Sequence, residues 1–252
     1  MNDLVRAEQL RKTLMLINEA REMGRGSAQR LHLVRGFEKI IGAAMTSIGV
    51  YGDFGPNRRG RIEENTSTAT DGSSARIWAA FERRGTSFSP SIRALANRSE
   101  GQGPVAARRR DLLLDQEWYG SEYFTDYYGP CGLDDYVKTM WPLRNGRVVT
   151  ISANREARDR PFAEEDRNLV AIFQEQCVRL EAAQAREQDE PRLTRRQREV
   201  LDALLRGSSE KAVAWDLGIS PQTVHTHVKS IYLAYGTRSR AELLARVLSR
   251  AA

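Results

Sequence analysis

The sequence predicts an α+β N-terminal domain followed by an all-α module of four short helices. Three observations carry this. At 252 residues the chain exceeds one ordinary domain of about 100–200. The formal net charge of +6 is not spread evenly: residues 192–252 hold 11 Lys and Arg against 5 Asp and Glu, and residues 1–191 hold 28 of each. Helix-start signals also recur four times in the last 60 residues, whereas helical and strand-like patterns alternate upstream.

Upstream, residues 1–24 and 28–42 read as helices, and 43–54 and 60–70 as strands around a Gly/Pro/Asn turn. Residues 74–84 and 90–97 are again helical. A hairpin follows. Asn145-Gly146 tolerates positive φ and is flanked by Val137, Trp141 and Leu143, then by Val149, Ile151 and Ala153. Pro142 cannot donate to a ladder, so its strand is expected to be an edge or bulged there. From Phe162 to Ala185, Leu169, Val170, Phe173, Cys177 and Leu180 recur at helical spacing, with Glu164, Glu165 and Asp166 at the positive end of the helix dipole. The pattern dissolves into "AREQDEP", and Pro191 ends any helix. The expected division is a domain over 1–185, a linker over 186–191 and a second domain over 192–252.

The order of helices, strands and hairpin, closed by "RPFAEEDRNLVAIFQEQCVRL", resembles the GAF/PAS-like sensor class. Phe162 and Asp166 match the Phe-x-x-x-Asp that opens the last GAF helix, although Ala163 stands where that family often has Thr or Ser. The resemblance implies an antiparallel sheet with a regulatory role.

In the basic module each helix has its own start. Thr194 with Gln197 makes a capping box before "REVLDALLRG", and Ser209 is placed to cap the next helix. Ser220-Pro221 gives an N-cap and a proline at the first helical position. Ser239 with Glu242 opens the last helix. With Glu210 as the first of twenty positions, Ala214, Gly218 and Val224 fall at the fifth, ninth and fifteenth. A small residue, a left-handed glycine and an apolar plug at that spacing form a helix-turn-helix. After the turn, Val224, Val228, Ile231 and Tyr235 make an apolar stripe, while Gln222, His225, Thr226 and Lys229 share the opposite face.

Residues 193–247 resemble the LuxR-type DNA-binding domain throughout. The likeness rests on Leu193-Thr194, Glu199-Val200-Leu201, Gly207, Lys211, Ala214, Leu217-Gly218-Ile219-Ser220, Thr223-Val224, His227, Gly236 and Ser239-Arg240-Ala241-Glu242. It implies that the third helix enters the DNA major groove, with His225, Thr226 and Lys229 at base-reading positions and Lys211, Gln222 and Thr223 beside them. It also implies homodimers on paired half-sites with the fourth helix at the interface. That helix alone offers too little area, so the extra contact is expected from the 162–185 helix. Ala212, Trp215, Tyr232, Ala234 and Tyr235 depart from the family. The last three lie where basic residues are common, which implies fewer phosphate contacts.

Several other readings bear on function. No run approaches the roughly 20 apolar residues of a membrane helix, and the N-terminus lacks a secretory pattern, so a cytoplasmic protein without a membrane partner is expected. Cys131 and Cys177 read as reduced thiols. No phosphate loop, nucleophile elbow or zinc helix is present, so neither an enzyme nor a cofactor is expected. His225 and His227, two apart, point to different helix faces, which argues against a metal pair. Arg108–Arg110 reads as a solvated face. The aromatic stretch "DQEWYGSEYFTDYYGP" reads as core, with Trp118, Tyr119, Tyr123 and Trp141 as the alternative lining of a ligand pocket. The expected protein is a transcriptional regulator of double-stranded DNA, controlled by a small-molecule or protein signal and with RNA polymerase as a further candidate partner. The rival is a response-regulator-like or adaptor protein acting through protein contacts. A phosphorylated receiver needs an acidic pair just after a first strand, and Asp134-Asp135 comes too late for that.

Overall fold

The computed structural model describes residues 7–55, 58–69, 72–100, 102–143, 146–188 and 191–251. They form two compact units, Met1–Ala182 and Ala183–Ala252.

The first unit is α+β. Its helices are α1 (Ala7–Glu22), α2 (Ser27–Ile41), α3 (Gly72–Arg84), α4 (Pro90–Ser99), the short α5 (Arg109–Leu112) and α6 (Asp115–Tyr119), and α7 (Glu164–Gln188), which runs past the division between the units. The strands are β1 (Met45–Gly52), β2 (Arg61–Ser67), β3 (Val105–Arg108), β4 (Leu133–Pro142) and β5 (Val148–Glu156). They order as β2-β1-β5-β4-β3, and every neighbouring pair is antiparallel. A receiver domain needs a parallel, doubly wound sheet, so the response-regulator alternative does not fit this unit.

Both faces of the sheet are covered. Ile48, Val50, Val137, Val149, Ile151 and Ala153 bury one face against α1, α2 and α7, where Phe37 and Phe173 stack at 3.8 Å. The other face packs under α3, α4 and the aromatic segment 118–128. Because side chains alternate along a strand, β4 sends Val137 and Trp141 to the first face and Tyr136 and Met140 to the second.

Two expectations need correction. The strand carrying Pro142 is not an edge, because β3 pairs along its outer side. That pairing stops at Met140, so Pro142 leaves no missing donor, and the register shift lies at Leu133/Asp135 instead. Of residues 108–110 only Arg110 is exposed as expected: Arg108 pairs with Asp111 at 2.8 Å, and buried Arg109 reaches Asp115 and Asp135. Asn145 lies outside the described residues, while Gly146 has the positive φ, 68°, expected of it.

Phe162 and Asp166 open α7 as the spacing suggests. Asp166 accepts from the Ala163 N–H at 2.8 Å, closing half of a capping box that Ala163 cannot reciprocate. Buried Arg155 pairs with Asp166 at 3.3 Å and donates to the carbonyls of Ile41 and Gly42, which ties β5, the end of α2 and the start of α7 together.

The second unit comprises α8 (Arg195–Leu205), α9 (Glu210–Leu217), α10 (Pro221–Tyr235) and α11 (Arg240–Ala251). Val200, Leu204, Val213, Ala214, Val224, Val228, Ile231 and Leu243 form its core. Thr194, Ser209 and Ser220 each accept a backbone N–H at a helix start, and Ser239 accepts that of Glu242 at 3.2 Å. The Glu242 carboxylate turns to the Arg238 N–H rather than to Ser239, one residue away from the expected box.

Candidate nucleic-acid interface and N-terminal cavity

The corner between α9 and α10 has the geometry that the sequence spacing requires. Gly218 takes φ 62° and ψ 36°, a left-handed conformation that closes α9 while its N–H returns to the helix. The Ala214 carbonyl accepts from Ile219 at 3.0 Å, and its small side chain is buried where α9 meets α10. Val224 is fully buried and plugs the angle.

With Val224, Val228, Ile231 and Tyr235 turned inward, α10 presents Gln222, Thr223, His225, Thr226 and Lys229 outward, all exposed. Lys211 is exposed on α9. These residues are not equally free. The Thr223 hydroxyl lies 2.8 Å from that of Ser220 and belongs to the cap, and Thr226 donates to the Gln222 carbonyl at 3.0 Å. His225 Nδ1 lies 3.2 Å from the Glu210 carboxylate. A carboxylate only accepts, so Nδ1 carries the proton, and a neutral ring then presents Nε2 outward as an acceptor. Tyr235 is in the core, so it was never at a phosphate-contacting position. Among the described residues, Trp215, 87% exposed, and Leu233, 84% exposed, are the large apolar side chains on this unit's surface.

In the first unit the four aromatic candidates do not converge. Trp118 is fully buried among Tyr123, Phe124, Tyr128 and Tyr136 and supports the segment from behind. Tyr119 is 40% exposed and donates to Asp134 at 3.3 Å. Trp141 lies on the opposite face of the sheet. Of the four, Tyr123 alone lines the cavity.

That cavity, about 40 Å³, lies between the sheet and α3 and α4. Ile77, Trp78 and Phe81 come from α3 and Ile92 and Leu95 from α4; Ser47, Tyr51, Lys138, Thr150, Ser152 and Asn154 come from the strands. Lys138 is the residue that sequence reading missed. Its Nζ donates to Ser91 at 3.0 Å and sits 4.3 Å from the centre of the Tyr136 ring. Burial pushes its pKa down to about 7. The alternation on β4 held a signal. Tyr136, Lys138 and Met140 share one face, and a lysine flanked by two large apolar side chains belongs on a covered face, not in solvent.

The last part of the chain matches the family described as bacterial regulatory proteins, luxR family, over residues 191–247. A spore germination protein of Bacillus subtilis is 33% identical over 61 residues, 24% of this chain and 82% of that protein. The monoamine regulon transcriptional regulator of Klebsiella aerogenes is 27% identical over 173 residues, 66% of this chain and 71% of its own. Other matched regulators are covered over 27% and 28% of their length. Among solved structures, SdiA of Escherichia coli aligns over 96% of each chain at 15% identity, with a TM-score of 0.45.

Proposed function

The chain belongs to the luxR family of bacterial regulatory proteins, and from that premise we propose how its two units divide the work. It is a transcriptional regulator with a C-terminal helix-turn-helix that binds DNA. In our reading α10 enters the major groove. Gln222, His225, Thr226 and Lys229 meet base edges or adjacent phosphates, Thr223 orients the start of the helix, and Lys211 reaches the backbone. The observation that carries this is the exposed polar row on α10, opposite its buried stripe, on the unit that holds the chain's whole excess of positive charge.

The N-terminal unit is the sensor. Support comes from its cavity, apolar on the helix side and polar on the sheet side, as small-molecule sites commonly are. The Klebsiella relative is named for a monoamine regulon. A protonated amine is a poor effector for this cavity, because among the described residues the one charged residue lining it is a lysine. We further infer a homodimer that works in the cytoplasm, carries out no catalysis, and contacts RNA polymerase where it activates.

Selection of bound duplexes from random DNA by the full chain tests the first part. An enriched motif of paired half-sites is expected, and a protein that retains no motif above background refutes it. Hydrogen exchange of α3 and α4 with and without a small-molecule extract of the host tests the second. Protection by the extract is expected, and unchanged exchange rejects the sensor role.

A further inference from the structure

Lys138 is out of place for a cavity that receives a neutral ligand. It is 5% exposed, and β4 holds it between small neighbours in register, Ala107 on β3 and Ser152 on β5. A buried ammonium ordinarily has a carboxylate beside it, because desolvation is otherwise uncompensated. Among the described residues Lys138 has no ion-pair partner, and no carboxylate lines the cavity. The titratable groups around it are phenols: Tyr51 from β1, Tyr123 and Tyr128 from the aromatic segment, and Tyr136 from β4. Burial raises the pKa of all four, so none supplies a negative charge near neutral pH. One N–H of the ammonium goes to Ser91, which leaves two to spend.

Resting on the sensor reading above, we propose that the effector is a small organic monocarboxylate, its carboxylate paired with Lys138 and its apolar body against α3 and α4. The single cation sets the charge at one, and the apolar side chains of Ile77, Phe81 and Ile92 favour an organic body over an inorganic anion. The narrow space, about 40 Å³, favours a short chain over an aromatic ring, since a cavity that takes benzene is about 150 Å³. A carboxylate also supplies the missing counter-charge. Binding therefore fixes a proton on Lys138 that the empty site releases above about pH 7.

The test is calorimetric titration of the full-length protein with acetate, propionate and butyrate, each against its neutral amide. At least one acid is expected to bind tenfold or more tighter than its amide at pH 6.5. Its affinity should fall about tenfold per pH unit above 7, with heats that depend on the buffer because protons are taken up. Lys138→Met should erase the preference for acid over amide, and Lys138→Arg should retain part of it. The wild-type pH profile decides the matter even if a variant fails to fold. Amides that bind wild type and Lys138→Met as well as the acids do would overturn the carboxylate and leave the sensor standing. No binding by any of the three acids also overturns it, and the extract experiment then judges the sensor separately. An imine of propionaldehyde on Lys138, formed with loss of water, reduced by borohydride to a stable secondary amine and seen without acid preference, would assign an imine-forming lysine instead.

Discussion

Lys229 and His225 sit on the same helix face and should fail in different ways when removed. Lys229 makes no hydrogen bond or ion pair among the described residues, so its charge is available to a phosphate or a guanine edge. Lys229→Ala should weaken binding to all sequences and flatten the salt dependence by about one unit if it meets phosphate. His225 is oriented by Glu210, and a neutral ring offers an acceptor that suits the amino groups of adenine or cytosine. His225→Ala should cost about 1–3 kcal/mol on the preferred site and relax selectivity at one base pair. Competition binding across single-base variants separates the two, and equal losses at every position for both mutants would reject the assignment. Lys138 acts on stability. Its pKa lies near 7 when folded and 10.5 when free, so between those values the unfolded chain holds a proton that the native chain has lost. Stability therefore rises with pH through that window. The difference in denaturant midpoint between wild type and Lys138→Met should move in favour of wild type from pH 7 to 9.5, and a difference independent of pH would mean that Lys138 keeps its ordinary affinity for protons.

The corner between α9 and α10 depends more on backbone than on contact. A Cβ at Gly218 would meet nothing within 4 Å, so Gly218→Ala tests the left-handed conformation alone. About 1 kcal/mol of lost stability is expected, with Gly218→Asn milder because Asn tolerates that region. Hydrogen exchange of α10 amides in the full chain reads this, and unchanged protection in Gly218→Ala would show that the turn is not held left-handed. This corner was legible in the sequence because its determinants are local: a cap, a proline, a glycine and a plug within fifteen residues. The hairpin and the opening of α7 were legible for the same reason. The cavity was not, since its walls come from segments about 100 residues apart, from Ser47 to Asn154. Trp141 shows why aromatic content alone does not locate a pocket. One step of alternation along β4 separates the two faces of a sheet, and which face lies under which helices is a tertiary fact. Strand β3 is only Val105–Arg108, too short to show a period, and its pairing with β4 is what enclosed the neighbouring arginines.

At the scale of the molecule, the local placement of charge and caps implies that the parts can be separated. Residues 190–252 should fold alone and keep salt-sensitive DNA binding, and residues 1–189, nearly neutral with 28 basic and 27 acidic side chains, should fold without binding DNA. The fragment should nevertheless bind more weakly than the chain, because it lacks the means to dimerise. Among the described side chains of α11, Leu243 is buried and Leu244 and Val247 are partly so, and these leave little apolar surface for a partner. Trp215 and Leu233 are two exposed side chains, whereas a stable interface buries about 1,200–2,000 Å². The remaining contact must come from the first unit. The helix α7 turns Leu169, Val170, Phe173, Cys177 and Leu180 inward, so it has less to offer a second copy than its sequence suggests. The helix α1, by contrast, leaves Leu14 and Met15 more than two-fifths exposed on adjacent positions. We expect the full chain to sediment as a dimer, Leu14→Glu with Met15→Glu to sediment as a monomer, and residues 190–252 to be monomeric off DNA. The double variant should keep the half-site affinity of the fragment and lose the gain that comes from pairing. A dimer unmoved by these two charges would return the contact to α7, and a full chain that stays monomeric on its own operator would remove dimerisation from the mechanism altogether.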